Sequence, residues 1–229
     1  KAELFRRTAE AVDAGVFGVP AFGAKDRIWW GVDRVHLVAN ALGGEMNSFP
    51  APTGKLQPNG VVRVYHDFSS PFSYLASTQV ERVAQEHGAT VEWVPILLGA
   101  LFREIGTANA PLLEMNASKA KYYAQDMQDW SSWWGQTFRM TPHFPLRTVL
   151  PLRIAILEPQ TTPILYRAAW VEGYNIGDPE VVARVLTAAG FDGTALVAQT
   201  QQSWVKDALK TNTEEASAVG CCGVPSFWV

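Results

Sequence analysis

Val61-Val62-Arg63-Val64-Tyr65-His66-Asp67-Phe68-Ser69-Ser70-Pro71 is the stretch on which the rest of the chain hangs. Val61–His66 is β-branched and aromatic, which predicts a strand. Asp67–Ser70 reads as a turn. Pro71 marks the first turn of a helix, where its missing N–H costs nothing. Phe72, Leu75, Ala76, Val80, Val83 and Ala84 then follow helical spacing up to Gly88. Thr90–Val94 predicts a second strand, closed by Pro95. The order is β-α-β. From Gly99 to Leu209 the pattern is mostly helical, with turns at residues 142–145 and 177–179, before the chain enters Val224-Pro225-Ser226-Phe227.

On the N-terminal side, residues 3–14 read as a helix stopped by Gly15. Residues 19–23 and 27–30 read as strands joined by Ala24-Lys25-Asp26. Asp33 caps a helix with Val35, Val38, Ala39 and Leu42 on its apolar face, ended by Gly43-Gly44. Residues 44–60, rich in Gly, Ser, Asn and Pro, form a linker. One pattern occurs twice: Gly15-Val16-Phe17-Gly18-Val19-Pro20-Ala21-Phe22 and Gly220-Cys221-Cys222-Gly223-Val224-Pro225-Ser226-Phe227, 205 positions apart. Thr8/Thr213, Glu10/Glu215 and Ala11/Ala216 extend it. The expected organisation is a β-β-α unit at 1–43, a linker at 44–60, a β-α-β unit at 61–98, a helical insertion at 99–210, and at 211–229 the start of a second β-β-α unit that repeats residues 4–24. This reads as a window across a tandem or rearranged protein. Residues 16–43 are expected to complete the sheet of residues 61–229, within the chain or by exchange between chains. Only one Val-Pro can occupy the slot beside Ser70.

The chain has 229 residues, 48% hydrophobic and 18% charged, with a net charge of −3. That is ample for a core, and without a basic run it gives nucleic-acid binding little support. No apolar run reaches the roughly 18 residues of a membrane span. Cys221 and Cys222 are adjacent, so they point to opposite faces of an extended segment. They read as structural or incidental thiols in a reducing, cytoplasmic setting.

Ser70 sits where unpaired helix N–H groups gather. It reads as a plain N-cap, or as a hydroxyl that donates to a bound anion such as a thiolate. Val19-Pro20 and Val224-Pro225 each open a strand, in the trans or the cis form. Lys119, Lys121, Arg147 and Arg153 are solvated cations or hold a carboxylate. Trp130, Trp133 and Trp134 have helical spacing, as a core stripe or as a stacking wall. His66 and His143 have no partner at metal or triad spacing. His36 and His87 read as surface helix residues. No metal site is expected.

The combination of Asp67-Phe68-Ser69-Ser70-Pro71-Phe72-Ser73-Tyr74-Leu75-Ala76, the helical insertion, Gly-Val-Pro and Trp30-Gly31-Val32-Asp33-Arg34 resembles the 2-hydroxychromene-2-carboxylate isomerases. These are grouped with the kappa-class glutathione transferases in the DsbA-like branch of the thioredoxin fold. The resemblance implies an α/β, thioredoxin-like (DsbA-like) fold with an inserted all-helical domain. It also implies glutathione as cofactor, a small aromatic carboxylate as substrate, and a cis-trans isomerisation belonging to aromatic catabolism. A homodimer or domain-swapped assembly fits the same picture.

DsbA-like oxidoreductases carry Cys-Pro-x-Cys where this chain reads Ser70-Pro71-Phe72-Ser73, so this motif performs no disulfide exchange. By resemblance, Ser70 is the catalytic donor to the glutathione thiolate. The backbone before Pro20 or Pro225, at Val19 or Val224, meets the glutathione cysteine. Asp33 and Arg34 hold the γ-glutamyl end, and Asn116, Lys119, Tyr122 and Arg153 face the substrate. Val32 stands where the family often has a polar residue. The alternatives are a kappa-like glutathione transferase or peroxidase, or a non-catalytic thioredoxin-fold module of a tandem protein.

Overall fold

The computed structural model describes residues 1–24, 26–44 and 60–229. The linker expected at 44–60 falls almost wholly outside them, as does Lys25. The elements are α1 (Ala2–Asp13), β1 (Ala21–Ala24), β2 (Arg27–Trp30), α2 (Val35–Ala41), β3 (Val61–His66), α3 (Pro71–Ser77), α4 (Val80–Glu86), β4 (Thr90–Pro95), α5 (Leu98–Glu104), α6 (Ala117–Trp133), α7 (Val149–Leu157), α8 (Thr162–Trp170), α9 (Pro179–Ala188), α10 (Gly193–Gln199), α11 (Ser203–Ala218) and β5 (Ser226–Trp228). They fall into two compact units, Lys1–Lys55 with Pro111–Gly135, and Leu56–Ala110 with Gln136–Val229.

The larger unit is built on a three-stranded sheet of order β4-β3-β5. β3 and β4 are parallel, from Val61↔Thr90 to His66↔Pro95. A parallel pair needs a crossover, and α3 and α4 supply it. β5 runs antiparallel to β3, with Tyr65↔Ser226 and Arg63↔Trp228. Val64, Tyr65, Ile96, Leu101, Leu152, Tyr166, Trp170 and Ala216 fill the core. The expected single helix from Phe72 to Gly88 is broken at Thr78–Gln79. There the Ser77 and Thr78 hydroxyls donate to the carbonyls of Tyr74 (2.6 Å) and Leu75 (2.7 Å). Such back-bonding competes with the helical ladder.

α9 and α10 start on Asp caps: Asp178 accepts from Glu180 N and Asp192 from Ala195 N, both at 2.9 Å. The two helices close on each other at Gly193, where a Cβ would collide with the Ala183 carbonyl oxygen. Gly193→Ala is therefore expected to cost about 1–3 kcal/mol by forcing the helices apart. A urea midpoint equal to that of the parent would show that the contact is slack.

In the smaller unit, β1 and β2 form an antiparallel hairpin, Ala21↔Trp30 to Ala24↔Arg27, around Asp26 at φ +60°. Tyr122, Asp126, Asp129, Trp130 and Trp133 lie three or four residues apart on α6, so they form one face. That face meets the hairpin and α2. The Trp29 indole donates to Asp129 Oδ2 at 3.0 Å, Arg27 pairs with Asp129, and Gln125 Nε2 donates to the Ile28 carbonyl at 2.9 Å. So α6, placed in the insertion by sequence, packs with residues 1–43. Two expectations are corrected. His36 is not a surface residue: it is 1% exposed, with its ring 4.9 Å from Trp130 and 4.7 Å from Trp133. Trp130 and Trp133 are thus packing residues around it. Nor do residues 16–43 extend the sheet of residues 61–229 within the chain, because among the described strands β1 and β2 pair only with each other.

The repeated motif has one backbone geometry in both places. Gly15 and Gly220 end their helices at φ +86° and +87°. Val16 N donates to Ala11 O, and Cys221 N to Ala216 O, each at 2.9 Å. Val19-Pro20 and Val224-Pro225 are both cis. The helices before them differ: Leu209 on α11 is 4% exposed, whereas its counterpart Leu4 on α1 is 68% exposed.

Candidate active site at the Ser70–Pro71 helix start

Asp67, at the end of β3, is the post on which this turn is built. Its carboxylate is buried and accepts from Ser69 N and from Leu98 N, each at 2.9 Å. Its carbonyl accepts from Ser70 N at 3.1 Å. Burial pushes the Asp67 carboxyl above its usual range, while the bonds from Ser69, Leu98 and Thr148 work in the other direction.

Ser70 follows as the N-cap of α3. Its Oγ accepts from Ser73 N at 3.1 Å and donates to the Val224 carbonyl at 3.0 Å. The tertiary structure therefore selects Val224-Pro225, and not Val19-Pro20, as the loop beside Ser70. α11 carries that loop, and it is tied to β3 by Tyr65, whose hydroxyl donates to Glu215 at 2.8 Å, and by an Arg63–Glu215 ion pair. Ser73, the second position of the motif, is buried, and Cys221 and Cys222 stand at neither of its positions. Burial pushes the Cys221 thiol up.

A cavity of about 500 Å³ opens beside this turn, lined by Asp67, Ser69, Leu98, Asn109, Arg147 and Arg153, among others. Arg153 Nε is shut off from solvent and has no hydrogen-bond partner among the described residues. So the structure brings Ser70 together with Val224 and Pro225, and it lines the adjacent cavity with Arg153.

The other expected site residues belong to the smaller unit. Val19 and Pro20 are exposed. Arg34 donates to Asp126 through Nε (3.0 Å) and Nη2 (2.8 Å), pairs with Asp33, and lies over the Trp130 ring. Burial works against charge on this guanidinium, but Asp126 more than offsets it and keeps it charged. Asp33 is the open end of this group, with its side chain 61% exposed. Asn116 caps α6 by accepting from Lys119 N at 2.9 Å, and Lys119 lies near the Tyr123 ring. Tyr122 OH accepts from Trp30 N at 3.3 Å and lies 3.2 Å from the Trp30 carbonyl and 3.3 Å from Asp126. Its phenol is pushed up to about 12, first by burial and then by Asp126. Asn116, Tyr122 and Arg34 thus have structural work in this unit. Sequence reading missed Asp67 and Asp126. The only sequence signal for Asp67 was its place at the end of a strand; for Asp126 it was the i+4 spacing from Tyr122.

His66 lies behind the site, wholly buried, with Nδ1 3.0 Å from Tyr166 OH. Burial pushes its pKa down to about 3, so it is neutral at physiological pH. An unfolded chain protonates this histidine below about pH 6.5 while the folded chain does not, so stability falls as pH drops from there toward 3. His36, also lowered by burial, adds to this, and Asp67, raised by burial, opposes it at the acid end. Urea titrations at pH 7, 5 and 4 should show this loss, and His66→Phe should flatten it. An unchanged slope in the variant would assign the acid sensitivity elsewhere.

The span from β3 to β5 that carries Ser70 and Val224-Pro225 matches, over residues 61–229, the family model described as DSBA-like thioredoxin domain. The chain belongs to this family. It is 26% identical over 179 residues to glutathione S-transferase kappa 2 of Caenorhabditis elegans, covering 72% of this chain and 79% of that protein. It is 24% identical over 173 residues to a 2-hydroxychromene-2-carboxylate isomerase of Pseudomonas putida, covering 74% and 85%. Among solved structures, a 2-hydroxychromene-2-carboxylate isomerase superposes with a TM-score of 0.66 at 23% identity, covering 74% of this chain and 85% of that one. The fold is therefore the DsbA-like thioredoxin fold, and the curated relatives are enzymes. No helix of the described residues is long and apolar enough to cross a membrane.

Proposed function

We propose that the chain is a glutathione-dependent cis-trans isomerase of the 2-hydroxychromene-2-carboxylate type, acting on an aromatic pyruvate-like carboxylate. The observation that carries this reading is the Ser70 hydroxyl, 3.0 Å from the carbonyl that precedes cis-Pro225, where oxidoreductases of this fold carry a thiol. A thiol-bearing peptide would suit these groups: its amide could donate to Val224 O, and its thiolate sulfur could accept the hydrogen bond that Ser70 Oγ now donates to that carbonyl. α3 has only seven residues, so the hydroxyl rather than a long helix dipole is the local device for favouring a thiolate. When bound, glutathione would supply a thiolate nucleophile for reversible addition to a conjugated carbon of the substrate, the chemistry that a cis-trans isomerisation requires.

Ser70 would stabilise negative charge at that sulfur by donating its hydroxyl hydrogen bond. Arg153, in the cavity beside Ser69, holds the substrate carboxylate. Asn116, Lys119 and Tyr122 are proposed for the substrate, and Asp33 with Arg34 for the γ-glutamyl end, on family resemblance. The exposed carboxylate of Asp33 has the right charge for an ammonium group. Likeness to the kappa protein favours a second reading, glutathione transfer to another electrophile. Turnover of 2-hydroxychromene-2-carboxylate, absolutely dependent on glutathione, is the expected result. Conjugation of 1-chloro-2,4-dinitrobenzene without that turnover would favour transfer, and failure of calorimetry to detect glutathione binding would leave only a non-catalytic module.

A further inference from the structure

A second cavity, of about 420 Å³, lies between α5, α7 and α11, and it shares Leu97, Val149 and Arg153 with the one beside Ser69. Arg153 is the wall common to both. Leu97, Ala100, Val149 and Leu209 form an apolar floor, and Arg103, Lys206 and Lys210 add three further cations. Two acids also line it, Glu214, paired with Lys210 at 3.5 Å, and Glu104, which accepts from the Ser217 hydroxyl at 2.6 Å and keeps its charge, so the four cations still outnumber the acids. The side chains of Arg103, Arg153 and Lys206 make no ion pair or hydrogen bond with the described residues. The groove is thus apolar below and positively charged at its rim, in a chain whose net charge is negative.

We infer that this groove binds an amphipathic monoanion, with its apolar body on Leu97, Val149 and Leu209 and its acid group among Arg103, Arg153 and Lys206. Apolar contact supplies the attraction, and the cations select for charge. Uncharged molecules of the same shape leave the cations unsatisfied and bind less well. Occupancy draws on Arg153, so it competes with any carboxylate that Arg153 holds on its other side. Binding in the groove does not require the isomerase reading to be right.

The probe is 1-anilinonaphthalene-8-sulfonate, titrated by fluorescence into the intact chain, with decanoate as competitor. The expected result is saturable binding that decanoate displaces, weakened about tenfold by Arg103→Glu with Lys206→Glu, in line with two partly screened charges reversed. Both residues lie on the surface, and circular dichroism checks that the fold persists. Ser70→Ala leaves this binding unchanged, which separates the groove from the glutathione site. Equal affinity for uncharged N-phenyl-1-naphthylamine, or equal binding of the sulfonate by the double variant, would overturn the inference, since the dye would then be reporting exposed apolar surface such as Leu4 and Phe5 on α1.

Discussion

On the proposed function, Ser70→Ala is expected to lower glutathione-dependent turnover by about 10²–10³-fold, the usual cost of deleting one donor aimed at a developing negative charge. Two effects have to be separated. Ser70 Oγ also caps α3 through Ser73 N and bonds to the Val224 carbonyl, so its loss costs about 1 kcal/mol of stability as well. Stability loss of that size leaves the protein folded at room temperature and does not reach the rate. Ser70→Thr, which keeps a hydroxyl at the same atom, retains most of the activity, and the glutathione thiol titrates at higher pH in the Ala variant than in the parent. Turnover by Ser70→Ala equal to the parent's would remove Ser70 from the chemistry and leave it as a cap.

Asp126→Ala destabilises the smaller unit by about 3 kcal/mol, the lower end of the range for removing one partner of a buried pair. Asp126 is fully buried, and its two oxygens take both Arg34 donors in a bidentate arrangement. Its loss leaves a guanidinium with 19% of its side chain exposed and only Asp33 as a charged partner, and it takes away a neighbour of Tyr122. The partial exposure of Arg34 and the remaining Asp33 keep the cost from being larger. Replacing both partners, Arg34→Met with Asp126→Leu, costs less than Asp126→Ala alone, because no unpaired charge is left behind. Chemical unfolding followed by tryptophan fluorescence tests both. A midpoint for Asp126→Ala within error of the parent would show that the pair contributes nothing net.

The strand at Val61–His66, the turn through Asp67 and the helix opened by Pro71 were legible because each rests on local chemistry: β-branched alternation, a capping hydroxyl, a proline that tolerates the first turn. The single helix read from Phe72 to Gly88 was not, because the hydroxyls of Ser77 and Thr78 turn onto backbone carbonyls in a way that apolar spacing does not register. His36 was misjudged for a related reason. Its neighbours in sequence are those of a surface helix, and the Trp130 and Trp133 rings that pack against it come from α6, far along the chain.

The sequence by itself determined the DsbA-like core of residues 61–229, the hydroxyl in place of the redox thiol, and the two Gly-Val-Pro repeats. Which loop meets Ser70 was decided by tertiary structure alone. Gly15 and Gly220, and Pro20 and Pro225, share the same turn geometry and the same cis form, so the backbone of the two loops does not distinguish them. The difference lies in the helix before each loop: α11 buries Leu209 and Ala216 in the core and ties Glu215 to β3, and so delivers Val224 to Ser70, whereas α1 buries none of its residues.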